Sequence, residues 1–160
     1  MKPETLTWIE RQKPTLVEWA EAFVKSSRLY LARESDPEPD DAVLEDPNRH
    51  RRRRQRALVS SSQLRNLLNA AQHGTSLKAL VNFLRYQVGR GRGGWGHGGS
   101  ARKLEKLLRE DLRELCEQRL DLSESAAEER YDLEANVAAH FLGFVIREYT
   151  YRCELAGTRS

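Results

Sequence analysis

Several things are scarce in this 160-residue chain, and each scarcity excludes a class of protein. Two cysteines, Cys116 and Cys153, are too few for a disulfide scaffold, and no pair of them has metal-ligand spacing. No run approaches the roughly 18 apolar residues a membrane helix needs, so no membrane partner is expected. Residues 1–5, MKPET, do not lead into a signal-peptide core, and a reducing cytoplasm is the expected compartment. The four histidines, His50, His73, His97 and His140, sit in unrelated settings. Nothing matches a His-Cys-Cys or His-Glu-x-x-His arrangement. No catalytic residue, metal or cofactor is expected, and the chain reads as a non-enzyme. Few β-branched runs and only ten glycines argue against a sheet-rich enzyme.

Acid is absent from one stretch, and this is the most informative gap. Residues 1–48 carry 6 Lys or Arg against 11 Asp or Glu, and residues 103–160 carry 9 bases and 13 acids. Residues 49–102 between them carry 12 bases and no acid, although the whole chain is only +3. Ordinary soluble surfaces mix both signs. A concentrated positive field attracts a polyanion.

The apolar spacing predicts an all-α protein, a compact bundle of four to five helices. A first helix is expected over residues 15–33, after Pro14, with Thr15 as N-cap and Leu16, Trp19, Ala20, Phe23 and Val24 on its stripe. Ser60 and Gln63 match a capping box ahead of Leu64, Leu67, Leu68 and Ala71, and His73-Gly74 ends that helix. Thr75 or Ser76 opens the next helix, with Leu77, Leu80, Val81, Leu84 and Val88 inward and Lys78, Arg85 and Tyr86 outward. Residues 101–120 form a leucine-striped helix capped by Ser100. A long final helix covers about 126–155, with Ser125 and Glu128 as a capping box and a stripe from Leu133 to Leu155. Three regions follow: an N-terminal helical segment at 1–33, a flexible acidic then arginine-rich linker at 34–57, and the main bundle at 58–160.

Two segments fall outside the helical pattern. Residues 34–48 hold Pro37, Pro39 and Pro47 among carboxylates, and six arginines follow within residues 49–56. That arm either pairs with the acidic linker or contacts nucleic acid through residues such as Arg52, Arg53 and Arg54. Residues 89–99, GRGRGGWGHGG, contain seven glycines, with no preceding strand and no GKS or GKT ending, so a phosphate-binding nucleotide loop is a poor reading. Either it is a connector whose Trp95 docks on the bundle, or it is an RNA contact. In the second case Arg90 and Arg92 meet phosphates and Trp95 stacks on a base.

Residues 61–71, SSQLRNLLNAA, resemble the opening motif of the small α-helical subunit of type III-A CRISPR effector complexes. That family shows a Thr/Ser-x-Gln/Lys-Ile/Leu-Arg-x-hydrophobic helix start and a hydrophobic helix ending near Tyr-x-x-Gly-Arg. Here the second element reads FLRYQVGR at residues 83–90, and FLGFVIREY at 141–149 is similar to the family's aromatic final helix. The likeness covers roughly residues 58–155. It implies a non-catalytic bundle stacking head-to-tail with copies of itself along the other subunits and lining the groove for guide RNA and target RNA. It also implies that Arg65, Lys78, Arg85 and Arg90 face RNA. The small subunit of type III-B complexes is a related all-helical alternative. Outside this resemblance, a helical protein-interaction adaptor without an RNA role and a small DNA-binding regulator are the competing readings.

Overall fold

The computed structural model describes residues 2–32, 56–91, 94–95, 99–120 and 127–160. The acidic segment 34–48, most of the arginine run, Arg92 and His97, and the expected cap Ser125 lie outside these residues. So does nearly all of the expected linker at 34–57.

Helix α6, Ala127–Ala156, is the centre of the bundle. Its inward positions Leu133, Val137, Phe141, Val145 and Tyr149 recur every four residues. Ala138 and Leu142 widen this stripe so that it serves several neighbours. Helix α1, Pro3–Ser27, packs on it through Ile9, Leu16, Ala20, Phe23 and Val24. Helix α2, Ser61–Gln72, packs on it through Leu64, Leu67 and Ala71. Helix α3, Leu77–Gly89, lies against α2. Helix α4, Ser100–Lys106, runs through a π-turn, Leu107–Asp111, into α5, Leu112–Arg119, which returns to α6. Counting α4, the π-turn and α5 as one rod gives five rods among the described residues, and the all-α bundle expected from the spacing is observed.

Helix α1 starts at Pro3 rather than after Pro14, and this corrects the sequence expectation. An interior proline costs about 3 kcal/mol by removing a backbone donor and crowding the preceding turn. Burial of Ile9 before it and Leu16 after it on one core offsets that cost. Thr15 is therefore interior and caps nothing. The helix ends at Arg28, which adopts the left-handed conformation at φ 52°.

The other caps also differ in detail. Ser60 is the N-cap of α2 but makes no side-chain cap bond. Its Oγ lies 2.9 Å from Ser62 Oγ, so the expected box with Gln63 does not form. Ser76 caps α3 as expected, accepting from the Ala79 N–H at 3.3 Å. A second cap comes from across the bundle. The buried Glu134 carboxylate of α6 accepts from the Leu77 N–H at 3.2 Å and from Arg130 Nε at 3.1 Å. Gly99, at φ 67°, rather than Ser100 precedes α4.

The leucine-striped rod is not one regular α-helix. Leu104, Leu108 and Leu112 are four apart, so their stripe drifts around a helix of 3.6 residues per turn. A π-turn between Leu107 and Asp111 interrupts the rod, and all three leucines are buried along it. Two expected core residues are outside: Val88, where Gln87 is buried instead, and Leu155, which is 64% exposed.

Trp95 is the largest correction. It is 2% exposed, so it belongs to the core and cannot stack on a nucleic-acid base. Ser100, also buried, donates its Oγ–H to the Trp95 carbonyl at 3.1 Å. Gly94 beside it sits at φ 76° against the Leu58 carbonyl, where a Cβ would come within 1.5 Å of the oxygen. The docked-tryptophan alternative is the one observed. Trp95→Ala is expected to cost about 3–5 kcal/mol, measured as a lower urea midpoint at unchanged slope. Unchanged stability with lost RNA affinity would restore Trp95 as a ligand platform.

Candidate nucleic-acid interface

The α2–α3 hairpin contains no carboxylate, so every charge it presents is positive. Its two helices meet at His73-Gly74. The His73 Nδ1 lies 2.6 Å from the Asn69 carbonyl, and Gly74 takes φ 76°. Arg65, Lys78, Arg85 and Arg90 are all exposed.

They do not share one face. At about 100° per residue, Lys78 and Arg85 fall on one flank of α3, two turns apart. Arg85 reaches α4 from there. Its Nε donates to Glu105 Oε2 at 3.3 Å, and its Nη2 donates to Oε1. Arg109 joins the same carboxylate at 3.2 Å. The hydrogen bond from Arg85, with that from Arg109, holds the Glu105 carboxyl below its usual range against the opposing effect of burial. Arg85 therefore shares a single carboxylate with Arg109, and the three groups together keep one positive charge at the surface. Lys78 and Arg65 form no ion pair among the described residues.

Arg90 lies on the opposite flank of α3. Its guanidinium carbon is 5.5 Å from the centre of the Tyr86 ring, and Nη1 donates to the Tyr86 hydroxyl at 3.4 Å. With Phe83 and Gln87 these residues form one wall of a groove of about 290 Å³, and Gln63 and Asn66 of α2 complete it. Arg65 is two residues from Gln63, so it projects from the far side of α2. The single basic face implied by the charge pattern is thus divided in three: Lys78 with Arg85, Arg90 at the groove, and Arg65 behind α2. Arg52, Arg53, Arg54 and Arg92 lie outside the described residues.

Sequence reasoning missed Gln63, Asn66, Phe83 and Gln87. The available signal was the spacing of Phe83, Gln87 and Arg90, which places an aromatic, an amide and a guanidinium on one helical flank. Other reactive groups are set aside by burial. Burial, followed by the charge of Glu134, pushes the Cys116 thiol up to about 12, and Cys153 is buried as well. Burial, with the positive charge of Lys13 and Arg147 outweighing Glu10, lowers His140 below its ordinary range. No metal-holding cluster is found among the described residues, and none of their helices is long and apolar enough to cross a membrane.

No protein-family model, curated protein or solved structure matches this chain.

The Arg85–Glu105 pair gives a pH signature. A carboxyl held low when folded contributes stability above its ordinary value of 4.5 and loses it as pH falls through the folded value. Wild type is therefore expected to have a higher urea midpoint than Glu105→Gln at neutral pH, and the gap should close below pH 4.5. A gap that persists undiminished in acid would exclude the ion pair as its source.

Proposed function

We propose that this chain is a non-catalytic, RNA-binding subunit of a type III CRISPR effector complex. In this reading it contacts guide RNA and target RNA through their backbones and scaffolds the assembly beside other subunits and copies of itself. The observation that carries the RNA-binding part is the acid-free surface of the α2–α3 hairpin, where Arg65, Lys78 and Arg90 are exposed and no carboxylate of the hairpin neutralises them. Phosphate contacts of this kind give affinity without sequence information. Base pairing between guide and target would supply specificity. The choice of complex rests on the motif resemblance at residues 61–71, 83–90 and 141–149.

One observation favours the adaptor reading instead. Tyr151 and Leu155, one turn apart near the end of α6, are both exposed and give a partner protein an apolar foothold.

Binding of single-stranded RNAs of unrelated sequence across a salt series separates the two. Reversing Arg65, Lys78 and Arg90 together to Glu is expected to weaken all of these RNAs alike. It should also flatten the log-log salt slope by about 2, at roughly 0.7 per lost phosphate contact on a single strand. Arg85→Ala is expected to flatten the slope by less than the roughly 0.7 of a free cation, because that guanidinium shares the Glu105 carboxylate with Arg109. Duplex DNA should compete poorly at matched salt. An unaltered slope in the triple variant would overturn the RNA reading and leave the adaptor.

A further inference from the structure

We infer that Arg85 and Arg109, which converge on Glu105 from two different elements, form a seat for one backbone phosphate of a bound RNA strand, with Glu105 as a built-in competitor. The inference rests on the RNA-binding reading. It extends the interface beyond the hairpin, to the seam between α3 and the rod of α4, the π-turn and α5.

The charge balance at Glu105 carries the argument. Arg85 reaches this carboxylate from α3 and Arg109 reaches it from the rod, so two guanidiniums share one anion. Every other ion-pair cluster among the described residues is balanced. Arg113 and Arg130 have Glu117 and Glu134 between them. Lys2, Lys13, Arg119 and Arg152 each have one carboxylate. The surplus at Glu105 is also within reach of a ligand. The side chains of Arg85 and Arg109 are 57% and 58% exposed, against 24% for Glu105. Arg109 lies within the π-turn, Leu107–Asp111, which packs against α3. Such turns are rare inside helices and are frequent at functional sites.

Guanidinium chemistry and the surrounding charge select the occupant. Arg85 gives Glu105 its Nε and Nη2 hydrogens, and Arg109 gives Nη1. The remaining N–H groups of the two planar forks can meet a second acceptor. A phosphodiester shares one negative charge between two oxygens, as a carboxylate does, and arginine takes either in the same bidentate way. The ground beside the seat is positive. Lys78 lies on the same flank of α3, roughly 10 Å from Arg85 along the helix axis. Arg102 precedes Glu105 by about one turn on α4. Both are exposed and form no ion pair among the described residues. A row of cations favours a chain of anions over a single one, and a strand laid along α3 meets Lys78 and then the seat. Glu105 opposes that strand by holding the same donors.

The test uses the full chain and fluorescent oligo(U) of about ten nucleotides, within the usual length of a single-strand site. Glu105→Gln removes the competitor. At about 0.15 M salt it is expected to bind at least about threefold more tightly than wild type, with a salt slope steeper by up to roughly 0.7. The same variant is expected to be less stable at neutral pH, and loss of a merely structural ion pair would not tighten binding. Glu110→Gln makes the same change of charge at an exposed neighbour that forms no ion pair among the described residues. It frees no guanidinium and salt screens its charge, so it should gain less than about twofold. Adding Arg109→Ala should abolish the gain of Glu105→Gln. NMR of the wild type gives a readout independent of variant folding. The Nε–H signals of Arg85 and Arg109 should shift as oligo(U) is added, and that of Arg152, held by Glu148, should stay in place. Equal gains in Glu105→Gln and Glu110→Gln, or Arg85 and Arg109 signals unmoved at saturation, overturn the seat and leave RNA binding standing. A gain for poly-glutamate equal to that for oligo(U) overturns it in favour of an acidic protein partner. No binding of oligo(U) by wild type or Glu105→Gln overturns both the seat and the RNA reading.

Discussion

A short extended strap, residues 56–59, has no helix to satisfy its backbone, and the rest of the molecule supplies what it lacks. The Ala57 N–H donates to the Arg159 carbonyl at 3.0 Å, the Leu58 N–H to Leu31 at 2.8 Å, and the Val59 N–H to Leu29 at 3.3 Å. The buried Tyr149 hydroxyl of α6 donates to the Val59 carbonyl. Gly94 presses on the carbonyl of Leu58. Thr158 binds the neighbouring Tyr30 carbonyl at 2.7 Å. Backbone polar groups taken from water must find partners. Here that requirement draws the end of α1, the middle of the chain and its last residues to one place.

The same arrangement explains why the glycine-rich segment is not simply a solvated loop. Trp95 fills core volume, and only a residue without a side chain can occupy position 94 against the strap. Part of the apparent low complexity is therefore a packing requirement. The consequence reaches the candidate interface. With Trp95 inside, the hairpin is left with Tyr86 as its exposed aromatic.

The sequence made legible whatever repeats along one helix. Leu64, Leu67 and Ala71, the face of α3 from Leu77 to Leu84, and the ladder from Leu133 to Tyr149 follow directly from helical spacing. The start of α1 was not legible, because Pro14 is a local signal and the burial of Ile9 against α6 is a distant one. The π-turn was not legible, since apolar residues four apart also line the regular helix α6. Trp95 carried no periodic signal at all. The Arg85–Glu105 pair joins residues twenty positions apart on different helices, so charge patterning could not show that Arg85 has a carboxylate partner. Gln87 in place of Val88 on the inner face shows the same limit: period alone does not say which of two neighbours turns inward. The groove required knowing which flank of α2 meets α3.

The pairing of α1 with α6 has a consequence for how the chain reaches this form. These helices lie at opposite ends of the described sequence, yet each covers the other's apolar side. Until the late helix is present, the early one has no mate for Ile9, Leu16, Phe23 and Val24, and α2 is equally exposed. Distant pairings of this kind slow acquisition of the native state and lengthen the time during which greasy surface stays open to unwanted self-association. The partners of α1 and α2 are therefore complete only once α6 has been made.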